Sequence, residues 1–246
     1  MQKIIELNDI KLELDSNFLL YENFNLTINK GDMVAIVGLS GAGKTTIFKL
    51  LSRYLKPTFG TVKIFEKNIN KLNKKEWNQI IKKIGFLSQK TNLIPSQNVY
   101  NNILKALKNH KNIFYKLLNI PDQQKHQKIF EILNDLKILE KAFYRVDTLS
   151  GGQQQRVEIA KLLLEQVDLI LADEPTSNLD FKNSSDVMEL LRELNKTKNI
   201  TILVNIHDLN LALEKFDQII VLKEGRVALH KNTNETTLCE IKKLLS

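Results

Sequence analysis

The chain has 246 residues, enough for one domain with a sizeable core, and its 43% hydrophobic and 26% charged residues are typical of a soluble globular protein. No apolar run approaches the roughly 18 residues of a membrane span, no signal-peptide core is visible, and the single Cys239 excludes an internal disulfide. The formal net charge of +8 could indicate a nucleic-acid partner, but the lysines are scattered and few basic residues are arginine. We therefore expect no nucleic-acid partner and a cytosolic location.

The predicted elements alternate strands and helices. The first thirty residues are typical of short strands, "MVAIVGL" at 33–39 of a buried strand, and a helical stripe follows it: Ile47, Leu50, Leu51 and Tyr54. A Lys/Asn/Gln-rich segment from about 90 to 150 is predicted to be a helical insert, with an apolar stripe of Ile129, Ile132, Leu133 and Leu136. Alternating strands and helices after it predict a parallel sheet with crossover helices.

"GLSGAGKT", residues 38–45, matches the phosphate-binding pattern G-x-x-x-x-G-K-[ST] between a predicted strand and a predicted helix. Glycines let successive backbone N–H groups turn toward phosphate oxygens, and the helix directs its positive end to the same place. Lys44 should contact the β- and γ-phosphates, and the Thr45 hydroxyl should ligate Mg²⁺. The predicted nucleotide-binding residues of this segment are Gly38, Leu39, Ser40, Gly41, Ala42, Gly43, Lys44, Thr45 and Thr46.

Two later strands end in polar side chains. "LILADE" delivers Asp173 and Glu174 to the carboxyl end of an apolar strand, where ligands bind in open α/β sheets. We expect Asp173 to hold Mg²⁺ and Glu174 to orient or deprotonate water, although two acids at a surface turn remain an alternative. His207 follows "ITILVNI" and could contact the γ-phosphate or share that water, although a lone histidine is more often structural.

Two further segments admit a structural and a functional interpretation. Gln89 ends a strand, where its amide could complete a metal shell or belong to an ordinary loop. In "LSGGQQQR", Ser150, Gly151 and Gly152 precede a helix and could form an anion site. Ser150 could equally well only cap that helix. The residues alone leave both alternatives open.

Together these motifs resemble the nucleotide-binding subunits of ABC transporters. The P-loop, Gln89, "LSGGQ", "LILADE", "SNLD" at 177–180 and His207 occur in the family's order and cover most of the chain. The resemblance implies an α/β fold: a P-loop NTPase (RecA-like) core with a small antiparallel β subdomain and an inserted helical signature subdomain. In one ABC ATPase domain of 1–246, the expected parts are the core with its β subdomain at about 1–89 and 157–225, the helical subdomain at about 90–156, and a short tail at 226–246.

The resemblance also implies a mechanism in which two copies pack head to tail. The signature segment of one copy (Ser150, Gly151, Gly152 and Gln153) then binds the γ-phosphate held by the P-loop of the other. The implied roles are catalysis for Glu174, His207 and Lys44, Mg²⁺ binding for Thr45, Gln89 and Asp173, and coupling of the two ATP sites for Asp180. ATP and Mg²⁺ are the expected cofactors. The expected partners are permease subunits with many membrane spans and, indirectly, a solute-binding protein or lipoprotein, at the cytoplasmic face of the membrane.

The segments 112–133, 141–156 and 204–227 resemble phosphonate-importer ATPases, which implies uptake of phosphonate or a related small organic anion. Alternatives are an importer of another solute, an exporter, or a soluble ABC ATPase acting on nucleic acid or ribosomes. A P-loop kinase or GTPase lacks "LSGGQ" and "SNLD".

One position departs from the family. An aromatic residue usually stacks on adenine from the first strands, but Leu14 falls near that position here. Phe18 and Tyr21 are candidate substitutes after a loop shift, so the preference for ATP over GTP is left open.

Overall fold

The computed structural model describes residues 2–14, 18–106, 123–177 and 179–246. Residues 112–122 of the phosphonate-importer-like segment and Asn178 of "SNLD" lie outside the described residues. The chain forms two compact units. The first comprises Met1–Phe86, Asp168–Glu174 and Leu191–Ser246, and the second comprises Leu87–Val167 and Pro175–Leu190.

The first unit begins with an antiparallel sheet of four strands in the order β2-β1-β4-β5. These strands are β1 (Lys3–Leu14), β2 (Phe18–Asn29), β4 (Phe59–Ile64) and β5 (Lys67–Asn68). The buried positions of β1 largely alternate along the strand, as expected when one face of a sheet covers a core and the other meets solvent.

A second sheet of six strands has the order β10-β9-β3-β8-β7-β6. Its strands are β3 (Met33–Gly38), β6 (Ile84–Ser88), β7 (Leu169–Asp173), β8 (Thr201–Asn205), β9 (Gln218–Lys223) and β10 (Arg226–Asn232). β3 pairs in parallel with β8 and β9, and β7 pairs in parallel with β8. The central strand β8 is buried along its whole length, as its apolar sequence predicts. The two sheets and the helices between the strands confirm the predicted fold class.

The described helices are α1 (Lys44–Leu51), α2 (Lys74–Ile81), α3 (Val99–Leu104), α4 (Gln123–Asp135), α5 (Gly151–Glu165), α6 (Phe181–Lys198), α7 (Leu209–Lys215) and α8 (Leu238–Leu245). The helical stripe predicted from Ile47 to Tyr54 is wrong at Tyr54, which lies outside the helix. Helix α1 stops at Leu51, Arg53 adopts a left-handed φ of 58°, and Tyr54 is 79% exposed. Among the residues that the structure describes, none of the helices combines the length and hydrophobicity of a bilayer crossing.

In the described residues 90–106 and 123–150 of the predicted insert, the second unit contains helices α3 and α4. The stripe of Ile129, Ile132, Leu133 and Leu136 is buried, as expected for an amphipathic helix. Helix α5 runs unbroken through 156/157, where the sequence suggested a boundary. Residues 226–246, expected as a short tail, contain strand β10 and helix α8.

Two glycines with left-handed backbone give a matched test of this fold. A Cβ at Gly225 (φ +72°) would lie 1.7 Å from the Leu20 carbonyl oxygen, whereas at Gly31 (φ +85°) the nearest atom is the Asn199 side-chain oxygen at 2.7 Å. Gly31→Ala should lower the free energy of unfolding by roughly 1–2 kcal/mol, the strain of a left-handed alanine. Gly225→Ala should lower it by more than about 3 kcal/mol, because a backbone carbonyl cannot rotate away as a side chain can. Urea unfolding measures both free energies, and equal losses of stability in the two variants would contradict the close approach of the Leu20 carbonyl to Gly225.

Candidate functional site

The glycine-rich loop 38–45 joins β3 to α1 in the first unit. Gly41 and Gly43 have φ of +83° and +102°, a region that only glycine adopts easily, so the backbone can curl around a small anion. Helix α1 begins at Lys44, immediately after the turn. The loop thus has a backbone conformation and an adjoining helix N-terminus that suit a phosphate group.

Lys44 is the buried cation of this loop. Its side chain is almost fully buried at 6% exposure, and Nζ donates to the carbonyl oxygens of Gly38 at 2.8 Å and Leu39 at 3.1 Å. Burial lowers the pKa of Lys44, while the charges of Glu174 and Asp173 act in the opposite direction. The ammonium group is therefore incompletely neutralised and favours an added anion.

Asp173, the last residue of β7, lies beside the P-loop. The Thr45 hydroxyl donates to its Oδ1 at 3.4 Å, and the Asn205 side-chain amide donates to the same oxygen at 2.6 Å. A hydroxyl and a carboxylate side by side are the hard oxygen ligands that Mg²⁺ prefers. Thr45 and Asp173 therefore fit the ion that the sequence predicted for them.

Glu174 and His207 form the other side of this cluster. Glu174 has a left-handed φ of 51°, and its backbone N–H donates to the Asn205 carbonyl at 3.1 Å. Its Oε1 lies 2.5 Å from His207 Nε2, and the His207 side chain is 54% exposed. A carboxylate in contact with a solvent-accessible imidazole can accept a proton from water and share it.

The candidate aromatic residues for base stacking differ in accessibility. Tyr21 is fully buried, stacks on Phe24, and donates its hydroxyl to the Gly43 carbonyl at 2.6 Å. Burial raises the pKa of Tyr21, so the hydroxyl stays protonated and keeps this hydrogen bond. Tyr21 thus supports the P-loop and is not accessible to a base. Phe18 is 59% exposed and lines a cavity of about 500 Å³ together with Leu39, Ser40 and other residues of the first unit.

The signature segment lies in the second unit, at the start of α5. Ser150 caps this helix: its Oγ accepts from Gln153 N–H at 3.3 Å, and Gln153 Oε1 accepts from Ser150 N–H at 2.9 Å. A Cβ at Gly151 would lie 2.6 Å from a Leu179 methyl group, so a side chain there would displace its neighbour. The capping alternative is thus realised, and the hydroxyl proton of Ser150 remains able to donate to an anion.

Gln89 is exposed and lines a cleft of about 240 Å³ with Gly151 of the signature segment, within the second unit. Two glutamines of α5 that the sequence did not single out connect these segments. Gln154 Oε1 accepts from the Thr91 hydroxyl at 3.2 Å, and Gln155 Nε2 donates to the Ser88 carbonyl at 3.3 Å. The segment around Gln89 is therefore hydrogen-bonded to the signature helix.

Asp180 precedes α6 in the second unit. Its two carboxylate oxygens accept from the Asn183 backbone N–H at 2.9 Å and side-chain amide at 2.6 Å. These hydrogen bonds lower the pKa of the Asp180 carboxyl. The carboxylate is exposed and stays charged.

Within the first unit, the fold brings together the P-loop, Asp173, Glu174 and His207. Within the second, it brings together Gln89 and the signature segment. Asn205 and Tyr21, which contact the P-loop or the acids, were missed as supporting residues. Their partners lie far away in sequence. The sign available for Asn205 was a polar residue at the end of a largely apolar strand.

Comparisons with known proteins identify the family of the chain. A model of the ABC transporter family matches residues 21–177. The chain is 36% identical over 244 residues to the phosphonates import ATP-binding protein PhnC of Fusobacterium nucleatum subsp. nucleatum, an alignment that covers 99% of this chain and 98% of that protein.

Solved structures are also similar. The structure of cbiO1 from Clostridium perfringens, part of the ABC transporter complex cbiONQ, superposes with a TM-score of 0.87 at 28% identity, covering 99% of this chain and 94% of that one. The ATP-binding cassette MJ0796, in a dimeric post-hydrolysis state bound to ADP and Pi, gives a TM-score of 0.78 at 32% identity, covering 94% and 99%. The chain therefore belongs to the ABC transporter ATP-binding family, whose members bind ATP and hydrolyse it to ADP and phosphate to power transport.

Proposed function

We propose that this chain is the ATPase subunit of an importer for phosphonate or a related small organic anion. The observation that carries the catalytic part is the cluster in the first unit, where Lys44, Thr45, Asp173, Glu174 and His207 meet around one P-loop. The likeness to PhnC over nearly the whole chain supports the choice of solute.

Each side chain of the first unit has a distinct role in this proposal. Lys44 donates to the β- and γ-phosphates in place of the carbonyl groups that it contacts here. Thr45 and Asp173 would hold Mg²⁺, which would neutralise charge on the phosphates. Glu174 accepts a proton from the attacking water, and His207 positions Glu174 and the γ-phosphate. The remaining P-loop residues, including Thr46, supply backbone N–H groups.

The second unit completes the ATP site of another copy. In a head-to-tail dimer, the Ser150 hydroxyl and the first N–H groups of α5, at Gly151 and Gly152, face the γ-phosphate of the partner copy, beside Gln153. Asp180 couples the two ATP sites of the dimer. The dimeric state of a similar cassette bound to ADP and Pi supports this arrangement.

The dimer would drive permease subunits from the cytoplasmic face of the membrane, with a solute-binding protein or lipoprotein delivering the solute outside. Affinity purification of the tagged chain from its own cells tests this part. We expect a multispanning permease to co-purify and phosphonate to raise ATP hydrolysis in reconstituted vesicles. Recovery of ribosomes or nucleic acid without a permease would refute the importer proposal.

We assign Phe18 to stacking on the base of the bound nucleotide. It is exposed, and its cavity is also lined by the P-loop residues Leu39–Ala42, whereas Tyr21 is buried. Stacking recognises the face of any base and does not read hydrogen-bonding groups. Phe18 would therefore strengthen nucleotide binding without selecting ATP over GTP.

Glu174→Gln should trap an ATP-bound dimer, because an amide cannot accept the proton of the attacking water and the closed state then persists. We expect hydrolysis to fall by about 10²–10⁴-fold. Size-exclusion chromatography with light scattering should show a dimer in ATP and Mg²⁺. The double variant with Lys44→Ala is the control: it should bind ATP weakly and remain monomeric. A Glu174→Gln protein that is monomeric in saturating ATP and Mg²⁺ would contradict the shared-site proposal.

Phe18→Ala should weaken ATP and GTP binding by similar amounts, about 1–3 kcal/mol, which is typical of one base–aromatic stack. Calorimetric titration of both nucleotides provides the measurement. Phe59→Ala removes an aromatic of similar exposure from β4, outside the cavity, and should leave both affinities unchanged. Unchanged affinities in Phe18→Ala would remove this residue from the nucleotide site.

A further inference from the structure

Asn205 is a buried polar residue at the end of an apolar strand. It is the last residue of β8, has 0% exposure, and follows the apolar residues Ile202, Leu203 and Val204. Its side-chain amide donates to Asp173 Oδ1 at 2.6 Å. Its backbone carbonyl accepts the Glu174 N–H at 3.1 Å. One residue therefore contacts both acids of the site, one through its side chain and one through its backbone.

The amide of Asn205 is only half satisfied. Its Oδ1 is buried and has no hydrogen-bond partner within the described part of the chain. Rotating the amide by 180° would turn this oxygen toward the Asp173 carboxylate, where two acceptors would repel each other. A buried group with an unpaired oxygen destabilises the folded state, and an apolar residue of similar size would avoid that penalty. Stability alone thus does not account for an asparagine here.

The contact has a clear consequence for Asp173. Asn205 Nδ2 and the Thr45 hydroxyl both point at Oδ1, which fixes the rotation of the carboxylate. The other oxygen, Oδ2, accepts no hydrogen bond from any residue that the structure describes. The carboxylate is thereby held in one orientation with one oxygen left for a ligand, as partners of metal-binding carboxylates do.

We propose that Asn205 is a positioning residue that orients the Asp173 carboxylate for Mg²⁺ through its side-chain amide, while its carbonyl holds Glu174 in its left-handed conformation. This inference rests on the proposed role of Asp173 in Mg²⁺ binding. The substitution Asn205→Leu keeps the branching of the side chain and the backbone contact to Glu174, and replaces the hydrogen-bonding amide with methyl groups. Asn205→Asp keeps the shape and places a second carboxylate oxygen against Asp173.

The test is the Mg²⁺ dependence of binding of the non-hydrolysable ATP analogue AMP-PNP, followed by calorimetry. In wild-type protein, Mg²⁺ should strengthen binding over that in EDTA. In Asn205→Leu, we expect binding in EDTA to be unchanged, and the Mg²⁺ concentration for half of the enhancement to rise about 10–100-fold. Asn205→Asp should be affected at least as much. Excess Mg²⁺ should restore part of the lost kcat for ATP in Asn205→Leu.

A matched control comes from the other end of the same strand. Thr201 is also buried at 0% exposure, and its hydroxyl oxygen accepts the Gly31 N–H at 2.9 Å. Thr201→Val should lower the unfolding midpoint without changing the Mg²⁺ dependence, whereas Asn205→Leu should change the Mg²⁺ dependence. An equal Mg²⁺ shift in both variants would trace the effect to strand stability and overturn the proposal.

Two further results would also overturn it: an unchanged Mg²⁺ dependence in Asn205→Leu, or a loss of binding already in EDTA. If Mg²⁺ does not strengthen AMP-PNP binding in wild-type protein, the proposed Mg²⁺ site itself fails. That result is distinguishable from a failure of the Asn205 proposal alone, because it is seen in the wild-type protein.

Discussion

The parallel pairing of β7 with β8 is the constraint on which the candidate site depends. Strands that run in the same direction end at the same edge of a sheet, and the register places Asp173 directly opposite Asn205. A slip of one residue would turn every side chain of β7 to the other face of the sheet. Glu174 would then lose the Asn205 carbonyl that receives its N–H. The apolar residues of both strands are buried and fix this register, so core packing determines where the acids lie.

The P-loop shows how the fold holds a charge that its own interior disfavours. Burying an ammonium ion costs several kcal/mol unless it is well paired. Two backbone carbonyls contact Lys44, and the nearby charges of Glu174 and Asp173 partly offset the effect of burial on its pKa. Tyr21 supports the same turn, because its hydroxyl donates a hydrogen bond to the Gly43 carbonyl. This arrangement leaves Lys44 positioned and only partly compensated, so triphosphate oxygens would be better partners than the carbonyls that they replace.

The sequence predicted the P-loop, the two acids and His207 because each follows from a local rule: a spacing pattern, or a polar residue at the end of an apolar strand. The features it missed depend on partners distant in the chain. Tyr21 could not be distinguished from Phe18 as a base-stacking residue, because its hydrogen bond to Gly43 exists only after β2 packs beneath the loop. The role of Asn205 depends on strand register, which the pattern of β8 does not reveal. The early end of α1 reflects a single left-handed residue, Arg53, that apolar spacing does not detect.

The helix cap formed by Ser150 leaves its hydroxyl able to donate to an anion. The oxygen accepts the Gln153 N–H, and the proton is still available to donate. The glycine that follows lies against a Leu179 methyl group, which a Cβ at this position would displace whether or not an anion binds. The informative feature is the duplication of donors. The first unit already supplies Lys44, a turn of N–H groups and the start of α1 to one triphosphate. A second set of donors at the start of α5 has a use if it meets a phosphate held by another copy. The proposed head-to-tail dimer would give both sets of donors a use.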